Sequence, residues 1–295
     1  MKPIALITGA SSGIGRAIAR QIADHYRLII CGRRTSRLLK LSKKLHDETQ
    51  TLIGSFDVRD QSAVANFIKT LPNKWQNISV LINNAGNAHG MNYIHEGNTQ
   101  DWDAMIDTNI KGLLYISRVV IPKMIKNKYG HIINLGSIAG VDVYPQGNVY
   151  NASKFAVDAL TKGMRMDLNK HGIKVSEIKP GLVETEFSRV RFKGNIEKAK
   201  ETYSGYDPLQ AKDIAECIAF MLSRPRHVNI GDMIVLPLLT DDIYFESFDQ
   251  DSAIYWINDQ PLMEYLGVKP DKISFNPTLY KSEIMIQEVQ KINHS

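Results

Sequence analysis

Residues 4–22 place the tightest limit on what this chain can fold into. Ile4-Ala5-Leu6-Ile7-Thr8 is a short apolar run of the kind a fully buried parallel strand shows. It passes directly into Gly9-Ala10-Ser11-Ser12-Gly13-Ile14-Gly15, after which Ile14, Ala17, Ile18 and Ile22 recur at helical spacing. A strand, a glycine turn and an amphipathic helix in that order form the unit a dinucleotide site requires. Gly9 permits the tight turn, Gly13 lets backbone amides approach a pyrophosphate, and Gly15 lets the helix pack closely on the strand. The helix N-terminus adds the positive end that an anion prefers.

The alternation continues. Arg27 to Cys31 reads as a second strand, Thr35 to about Asp47 as a helix, Leu52 to Phe56 as a third strand and Ile78 to Ile82 as a fourth. A long helix from about Asp101 to Lys126 is interrupted near Asn109 and Gly112, and a strand at 130–136 precedes a helix from about Asn148 to Lys170. Ile173 to Ile178, a helix from about Ala211 to Leu222 and a last strand at Met233 to Leu236 complete the series. Strands and helices alternating at this pace predict an α/β Rossmann-type doubly wound parallel sheet, with ligands at the carboxyl ends of the strands.

Several residues fall at those ends. Gly32-Arg33-Arg34 follows the second strand, where an acid would suit adenosine ribose hydroxyls, and no acid stands between Leu28 and Arg37. Two adjacent guanidiniums can clamp a 2′-phosphate, so Arg33 and Arg34 predict NADP(H) rather than NAD; they read otherwise as the start of a solvated helix. Asp57-Val58 closes the third strand where an adenine edge would lie, with Asp57 also a candidate N-cap of the next helix. Asn83-Asn84-Ala85-Gly86 ends the fourth: small residues allow close approach, and the Asn side chains satisfy exposed peptide groups.

Ser137 lies at the mouth of the strand at 130–136, and Tyr150 and Lys154 share a helix face one turn apart. A free tyrosine has a pKa of about 10, and an ammonium about 4 Å away at an effective dielectric near 20 favours the phenolate by roughly 4 kcal/mol. About three pKa units follow, less what burial takes back, which brings the phenol toward neutrality where acid–base catalysis works best; taken alone, Tyr-x-x-x-Lys reads otherwise as an ordinary surface helix pair. Ser137 can hold the same reacting oxygen. Asn109 is unusual inside a helix, since its side chain competes for backbone hydrogen bonds; a kink there can turn the amide toward a water beside Lys154.

Composition narrows the class. With 43% hydrophobic and 23% charged residues, the 295-residue chain has ample material for a core. Cys31 and Cys217 lack metal-ligand or disulfide spacing, so no metal site is expected and a reducing, cytoplasmic setting fits. No run is long enough for a membrane helix or signal peptide. Residues 237–295 hold four Lys and no Arg against ten Asp plus Glu, so the positive surplus lies in the body. No groove-reading pattern accompanies it, so no nucleic acid is expected; a phosphate-rich cofactor accounts for it more simply.

Taken together, the TGASSGIG turn, Asn83-Asn84-Ala85-Gly86, Asn109, Ser137, Tyr150 with Lys154, and Pro180-Gly181 resemble the short-chain dehydrogenase/reductase family in order and spacing over about residues 3–237. The resemblance implies Tyr150 as acid/base, Lys154 lowering its pKa and holding the ribose, Ser137 orienting the carbonyl, and Asn109 holding a water that connects Lys154 to solvent. It extends the cofactor contacts to Ser11, Ser12, Ile14, Ala85, Gly86, Pro180, Gly181, Val183 and Thr185, beside those already named. Within the family the pattern is most similar to the NADP-dependent 3-hydroxy acid dehydrogenase group, which includes enzymes oxidising serine and L-allo-threonine. The stretches concerned are Leu71-Pro72 with Trp75, MIDTNIKGL from Met105, GHIINLGSIAG from Gly130, PQGNVYNASK from Pro145 and PGLVETEFSRVRFKGN from Pro180.

Arg189, Arg191 and Lys193 in the last of these form a basic flap, with Arg191 the candidate partner of a substrate carboxylate; they read otherwise as solvated loop charges. The expected activity is NADP-dependent hydride transfer on a small 3-hydroxy acid. The alternatives are reduction of a short aldehyde or other neutral carbonyl and, in another class, a silent NADP-binding protein whose tail recruits a partner. Two regions are expected, a catalytic domain at 1–238 and an acidic, aromatic-rich extension at 239–295 that folds onto the body or a neighbouring subunit. Tyr244, Phe245, Phe248, Tyr255, Trp256 and Tyr265 argue against disorder there, and Ile284, Ile286, Val289 and Ile292 suggest a final helix. The family resemblance implies a homo-oligomer, dimer or homotetramer, paired through the helices carrying Asn109 and Tyr150.

Overall fold

Every residue of β1 (Ile4–Ile7) is buried, and its side chains alternate between two cores. Ala5 and Ile7 enter one, Ile4 and Leu6 the other. A strand without a polar face requires helices on both sides of its sheet. In the computed structural model these are supplied by regular alternation: α1 (Gly13–Gln21), β2 (Arg27–Gly32), α2 (Thr35–Ser42), β3 (Thr51–Ser55), α3 (Gln61–Lys69) and β4 (Ile78–Asn83). Then follow α4 (Thr99–Ile106), α5 (Leu113–Asn127), β5 (Gly130–Leu135), α6 (Asn148–Leu168) and β6 (Ile173–Pro180). The chain continues through β7 (Val183–Glu184), α7 (Glu186–Arg191), α8 (Ile196–Glu201), β8 (Leu209–Gln210), α9 (Ala211–Ser223) and β9 (Asp232–Val235). The structure describes residues 2–45, 50–205, 207–238, 256–257 and 260–261.

Seven strands pair in parallel in the order β3-β2-β1-β4-β5-β6-β9. The chain winds outward from β1 to β3 and restarts on the other flank of β1 with β4. Loops leaving β1 and β4 therefore diverge, which opens a crevice at their carboxyl ends. One core joins the sheet to α1, α2 and α9 through Ile18, Leu38, Ile214 and Ile218; the other joins it to α3, α5 and α6 through Ile68, Ile116, Val120 and Leu168. Burying each such side chain contributes about 1.5–3 kcal/mol.

Element bounds differ from the sequence reading by a few residues in places. The helix from Thr35 ends at Ser42. The interruption expected in the long helix near Asn109 and Gly112 is a π-helical segment at 107–112, between α4 and α5. Gly112 is needed in that segment because a Cβ there would lie 2.7 Å from Val58 Cγ2. The stretch 183–210, to which the sequence reading assigned no helix or strand, holds β7 paired with β8, and two short helices capped by Thr185 and Asn195. The final sheet strand starts one residue earlier than expected.

The chain divides into two units, Met1–Asp241 and Asp242–Ser295. In the second, Trp256–Ile257 pairs antiparallel with Gln260–Pro261. The expected final helix and the expected packing of the tail lie outside the described residues. Among the described residues no helix is long and apolar enough to cross a membrane.

Candidate active site

Tyr150 and Lys154 occupy consecutive turns of α6 and are both buried, at 9% and 6% exposure. Lys154 Nζ lies 5.9 Å from the centroid of the Tyr150 ring and donates to the Leu135 carbonyl at 2.8 Å. The turn after β5 presses on the helix there: a Cβ on Gly140 would lie 2.6 Å from the Lys154 carbonyl oxygen. Burial pushes the Lys154 amine down to about 8, and the Glu177 carboxylate pulls against that fall. Below that pH the amine is charged and favours a neighbouring phenolate. Ser137 Oγ accepts from Ala139 N–H at 3.1 Å, which leaves its own proton for another oxygen.

The π-helical segment carries Asn109 inward. Its Nδ2 donates to the Asn87 carbonyl and to Ser153 Oγ, both at 2.9 Å, while Oδ1 accepts from Asn87 N–H at 2.9 Å. Ser153 donates in turn to the Tyr150 carbonyl at 2.7 Å. Asn109 thereby ties the loop after β4 to the first turn of α6. A Cβ on Gly86 would lie 3.3 Å from Asn109 Oδ1 and 3.9 Å from Lys154 Nζ, so this glycine keeps clear the space that both atoms border.

The crevice is built around Asn84. Its Nδ2 donates to the Thr8 carbonyl at 2.8 Å, and Thr8 Oγ1 accepts from the N–H groups of Asn84 and Ala85 at 3.0 Å. A Cβ on Gly9 or Gly15 would meet that Nδ2 at 2.7 or 2.4 Å, so both glycines are required by the amide that locks β1 to β4. Gly13 holds a left-handed φ of +50°, and no side chain caps α1 or places an acid in its first turn. A left-handed glycine beneath an uncapped helix N-terminus fits the pyrophosphate of a dinucleotide. Asn83 does not share this role. Its Nδ2 donates to Ser117 Oγ at 3.1 Å and Asn134 Oδ1 at 2.9 Å, inside a buried network that Asn134 extends to Thr161. Strand alternation sends the Asn83 side chain into the core, which leaves its backbone at the end of β4 to border the crevice.

The arginines after β2 also separate. Arg34 donates from Nε and Nη2 to Ser11 Oγ at 3.2 and 3.1 Å and from Nη2 to Ser12 Oγ at 2.5 Å. Arg33 turns toward Asp57, 3.7 Å away, and Asp57 is forked by Arg59 at 2.8 Å. The second guanidinium beside Arg34 belongs to Arg37: both hold the Glu186 carboxylate, at 3.0 and 2.7 Å. Their spacing of three along the start of α2 was the available signal. Asp57 does not cap α3; Asp60 does, accepting from Ala63 N–H at 2.9 Å.

Beyond β6, Gly181 N–H donates to the Val235 carbonyl at 2.8 Å, and the chain returns over the site. Thr185 lies against the glycine turn, its Cβ 3.4 Å from where one on Gly13 would sit. Phe187 in α7 packs at a tilt against Tyr150, the ring centres 5.7 Å apart. The Arg191 guanidinium lies 5.4 Å from the Tyr144 ring and 5.6 Å from that of Tyr150. Backbone and side chain bind Arg191 to Gly90, at 2.9 and 3.3 Å, and Lys193 pairs with Asp101 at 2.8 Å. Of the three basic residues expected in the flap, Arg191 turns inward while Arg189 and Lys193 are exposed. The guanidinium bears on the Tyr144 phenol and opposes the burial that raises it. Arg191 Nη2 is nonetheless buried without a hydrogen-bond partner among the described residues, and a charged donor left so is costly unless an anion meets it. A polar recess lined by His89, Asn92, Asp101, Trp102 and Asn148 adjoins Tyr150.

Residues 3–195 match the family model described as short chain dehydrogenase. The chain is 43% identical over 237 residues to the NADP-dependent 3-hydroxy acid dehydrogenase of Escherichia coli (strain K12), covering 80% of this chain and 95% of that protein. It is 42% identical over 239 residues to sulfoacetaldehyde reductase 2 of Chromohalobacter salexigens, with coverage of 80% and 95%. Among solved structures, the closed form of serine dehydrogenase complexed with NADP+ superposes with a TM-score of 0.76 at 43% identity, over 79% of this chain and 94% of that one.

Proposed function

The chain belongs to the short-chain dehydrogenase family, and from that premise we propose that it is an NADP-dependent oxidoreductase acting on a small 3-hydroxy acid, with Tyr150 as the acid/base. The observation that carries the substrate class is the buried, unpartnered Arg191 Nη2 beside Tyr150. A carboxylate two carbons from the reacting hydroxyl meets that donor while the hydroxyl reaches the phenol. The relatives named above act on substrates with this spacing of charge and oxygen, by their names.

The cofactor would take up the substrate's hydride at nicotinamide C4 as NADP+ in oxidation and return it as NADPH in reduction. Gly13 and the first turn of α1 would hold its pyrophosphate, and Arg34 with Arg37 its 2′-phosphate. In the oxidising direction Tyr150 accepts the hydroxyl proton; in reduction it returns a proton to the carbonyl oxygen. Lys154, charged below about pH 8, lowers the cost of the phenolate. Ser137 donates to the substrate oxygen, and a water between Asn109 Oδ1 and Lys154 Nζ links the amine to solvent. The same reading carries the expectation of a homo-oligomer joined through α5 and α6, where Leu114 and Phe155 are exposed.

A second reading rests on the same donor: a sulfonate satisfies Arg191 as a carboxylate does, which supports a short sulfonated aldehyde as substrate. The decisive assay follows NADP+ reduction with serine, L-allo-threonine, 3-hydroxyisobutyrate, 3-hydroxypropionate and isethionate. Turnover of a 3-hydroxy acid above isethionate is expected, and the reverse order favours the sulfonate. Tyr150→Phe should lower kcat about 10²–10⁴-fold; near-normal turnover would place the proton elsewhere.

A further inference from the structure

Glu177 lies in the middle of β6, opposite Asn134 of β5, and is wholly buried. Neither carboxyl oxygen has a hydrogen-bond partner among the described residues. Packing alone does not call for such a group, since an apolar residue would fill the site at far lower cost. Its surroundings explain why it is there. A Cβ on Gly136 would lie 2.0 Å from Glu177 Oε1, so the carboxyl is pressed against the peptide that follows Leu135. The Leu135 carbonyl receives Lys154 Nζ, and Ser137 is the next residue along. Glu177 therefore stands directly behind the segment that holds two members of the site, and Lys154 and Glu177 each feel the other's charge.

The charges on the far side are already matched. Lys179 Nζ contacts Asp158 at 2.6 Å, Asp232 at 3.0 Å and Glu177 more distantly at 3.8 Å. Lys162 from α6 adds a second cation to Asp158 at 2.7 Å, and Arg165 from α6 one to Asp232 at 3.0 Å. The three carboxylates could together surround a metal ion, but the Lys179 ammonium stands among them and supplies the positive charge. Among the described residues Asp158 and Asp232 each have two close cations, whereas Glu177 has only the distant edge of one. The other cation that faces it is Lys154.

We propose that Glu177 is a positioning residue of the proton transfer, the buried counter-charge that keeps the Lys154 amine protonated behind Tyr150. The proposal rests on the roles assigned to those two residues above. Burial raises the Glu177 carboxyl to about 7, with the Lys179 charge opposing, while the Lys154 amine stands at about 8. Over the interval between them Glu177 is ionised and Lys154 is charged, so each stabilises the other's charged form where the enzyme works. With rising pH the carboxyl ionises first and delays the loss of the Lys154 proton.

Glu177→Gln keeps the shape and removes the charge. In the full-length chain carrying [13C]lysine, the midpoint of the Lys154 titration, read by NMR from its Cε shift, should fall by about one unit in this variant, and Glu177→Asp should recover part of the shift. The alkaline limb of the kcat–pH profile should move down with it. An unmoved midpoint in a variant with a normal thermal transition would overturn the proposal. Should Glu177→Gln fail to fold, Lys154→Met with the Glu177 carboxyl read by 13C NMR decides, since coupling is reciprocal: that carboxyl must titrate about one unit higher, and an unchanged value refutes the idea. These titrations need no turnover. A shifted Lys154 with a fully active Tyr150→Phe would sink only the enzymatic assignment, and an unshifted one with an inactive Tyr150→Phe only the role of Glu177.

Discussion

Arg191 shows how one residue acquires a role from its surroundings. Three basic residues in a row of five read alike in sequence, but α7 presents only one of them to Tyr150. A charged hydrogen bond contributes about 1.5–3 kcal/mol, so Arg191→Ala should raise KM for a hydroxy acid roughly 10- to 100-fold. A neutral aldehyde should be turned over with unchanged KM, and equal losses on both would remove the carboxylate role. Tyr150, Lys154 and Ser137 were legible beforehand because a helix places residues four apart on one face and a strand end is marked by its own composition. Glu177 was not, because an acid within an apolar run carries no motif: its meaning comes from Gly136 and Lys154, 41 and 23 positions away. Asn83 and Asn84, adjacent and identical, could not be told apart until the strand sent one inward and the other across the crevice.

Elements show the same division. α1, β2 and α6 emerge from periodicity, whereas α7 and α8 are helices of under two turns whose six residues offer too little pattern to read. Their placement has a consequence for cofactor choice. Glu186, opening α7, holds Arg34 and Arg37 of the β2–α2 corner, so a carboxylate on one element rests on the two guanidiniums that suit a 2′-phosphate. Burial works to raise this carboxyl, and the two arginines overcome it and hold it below its ordinary value. Arg34→Ala should lower kcat/KM with NADPH at least tenfold and leave NADH nearly unchanged. Glu186→Gln should tighten NADPH about two- to fivefold, a modest gain because the groups are exposed and screened; steady-state assays with each cofactor measure the first effect and fluorescence titration of NADPH the second. Loss of NADH and NADPH in equal proportion would separate these arginines from the 2′-phosphate.

At the scale of the whole molecule, the buried sheet makes stability depend on pH through His131 in β5. Ser176 donates its hydroxyl proton to Asn229 Oδ1 at 3.1 Å, so at 2.8 Å it accepts from His131 Nε2–H and fixes the neutral tautomer. Burial pushes this imidazole down to about 3, with the Lys174 charge adding to the fall. The unfolded chain takes up the proton near 6.5 while the folded one refuses it, so stability is present above that pH and declines as pH falls toward 3. Between pH 7 and 5 the loss from His131 is about 2 kcal/mol. Glu177 tilts the curve the other way, since its raised carboxyl protonates first in the folded state. Denaturant melts of wild type and His131→Gln, compared across that interval, isolate the histidine: the variant should lack the 2 kcal/mol decline, and parallel curves would contradict it.

Local order was written in contiguous residues: apolar runs, glycine turns and helical spacing each report the conformation of their own few positions, so the doubly wound sheet and the row of motifs along its carboxyl edge followed from the chain alone. Which charges meet was settled only by tertiary structure. Arg34 reaches Glu186 across 152 positions and Arg191 reaches Gly90 across 101. Hydrogen bonds and ion pairs act over a few ångströms of space whatever the distance along the chain, and only the closed fold turns sequence separation into contact.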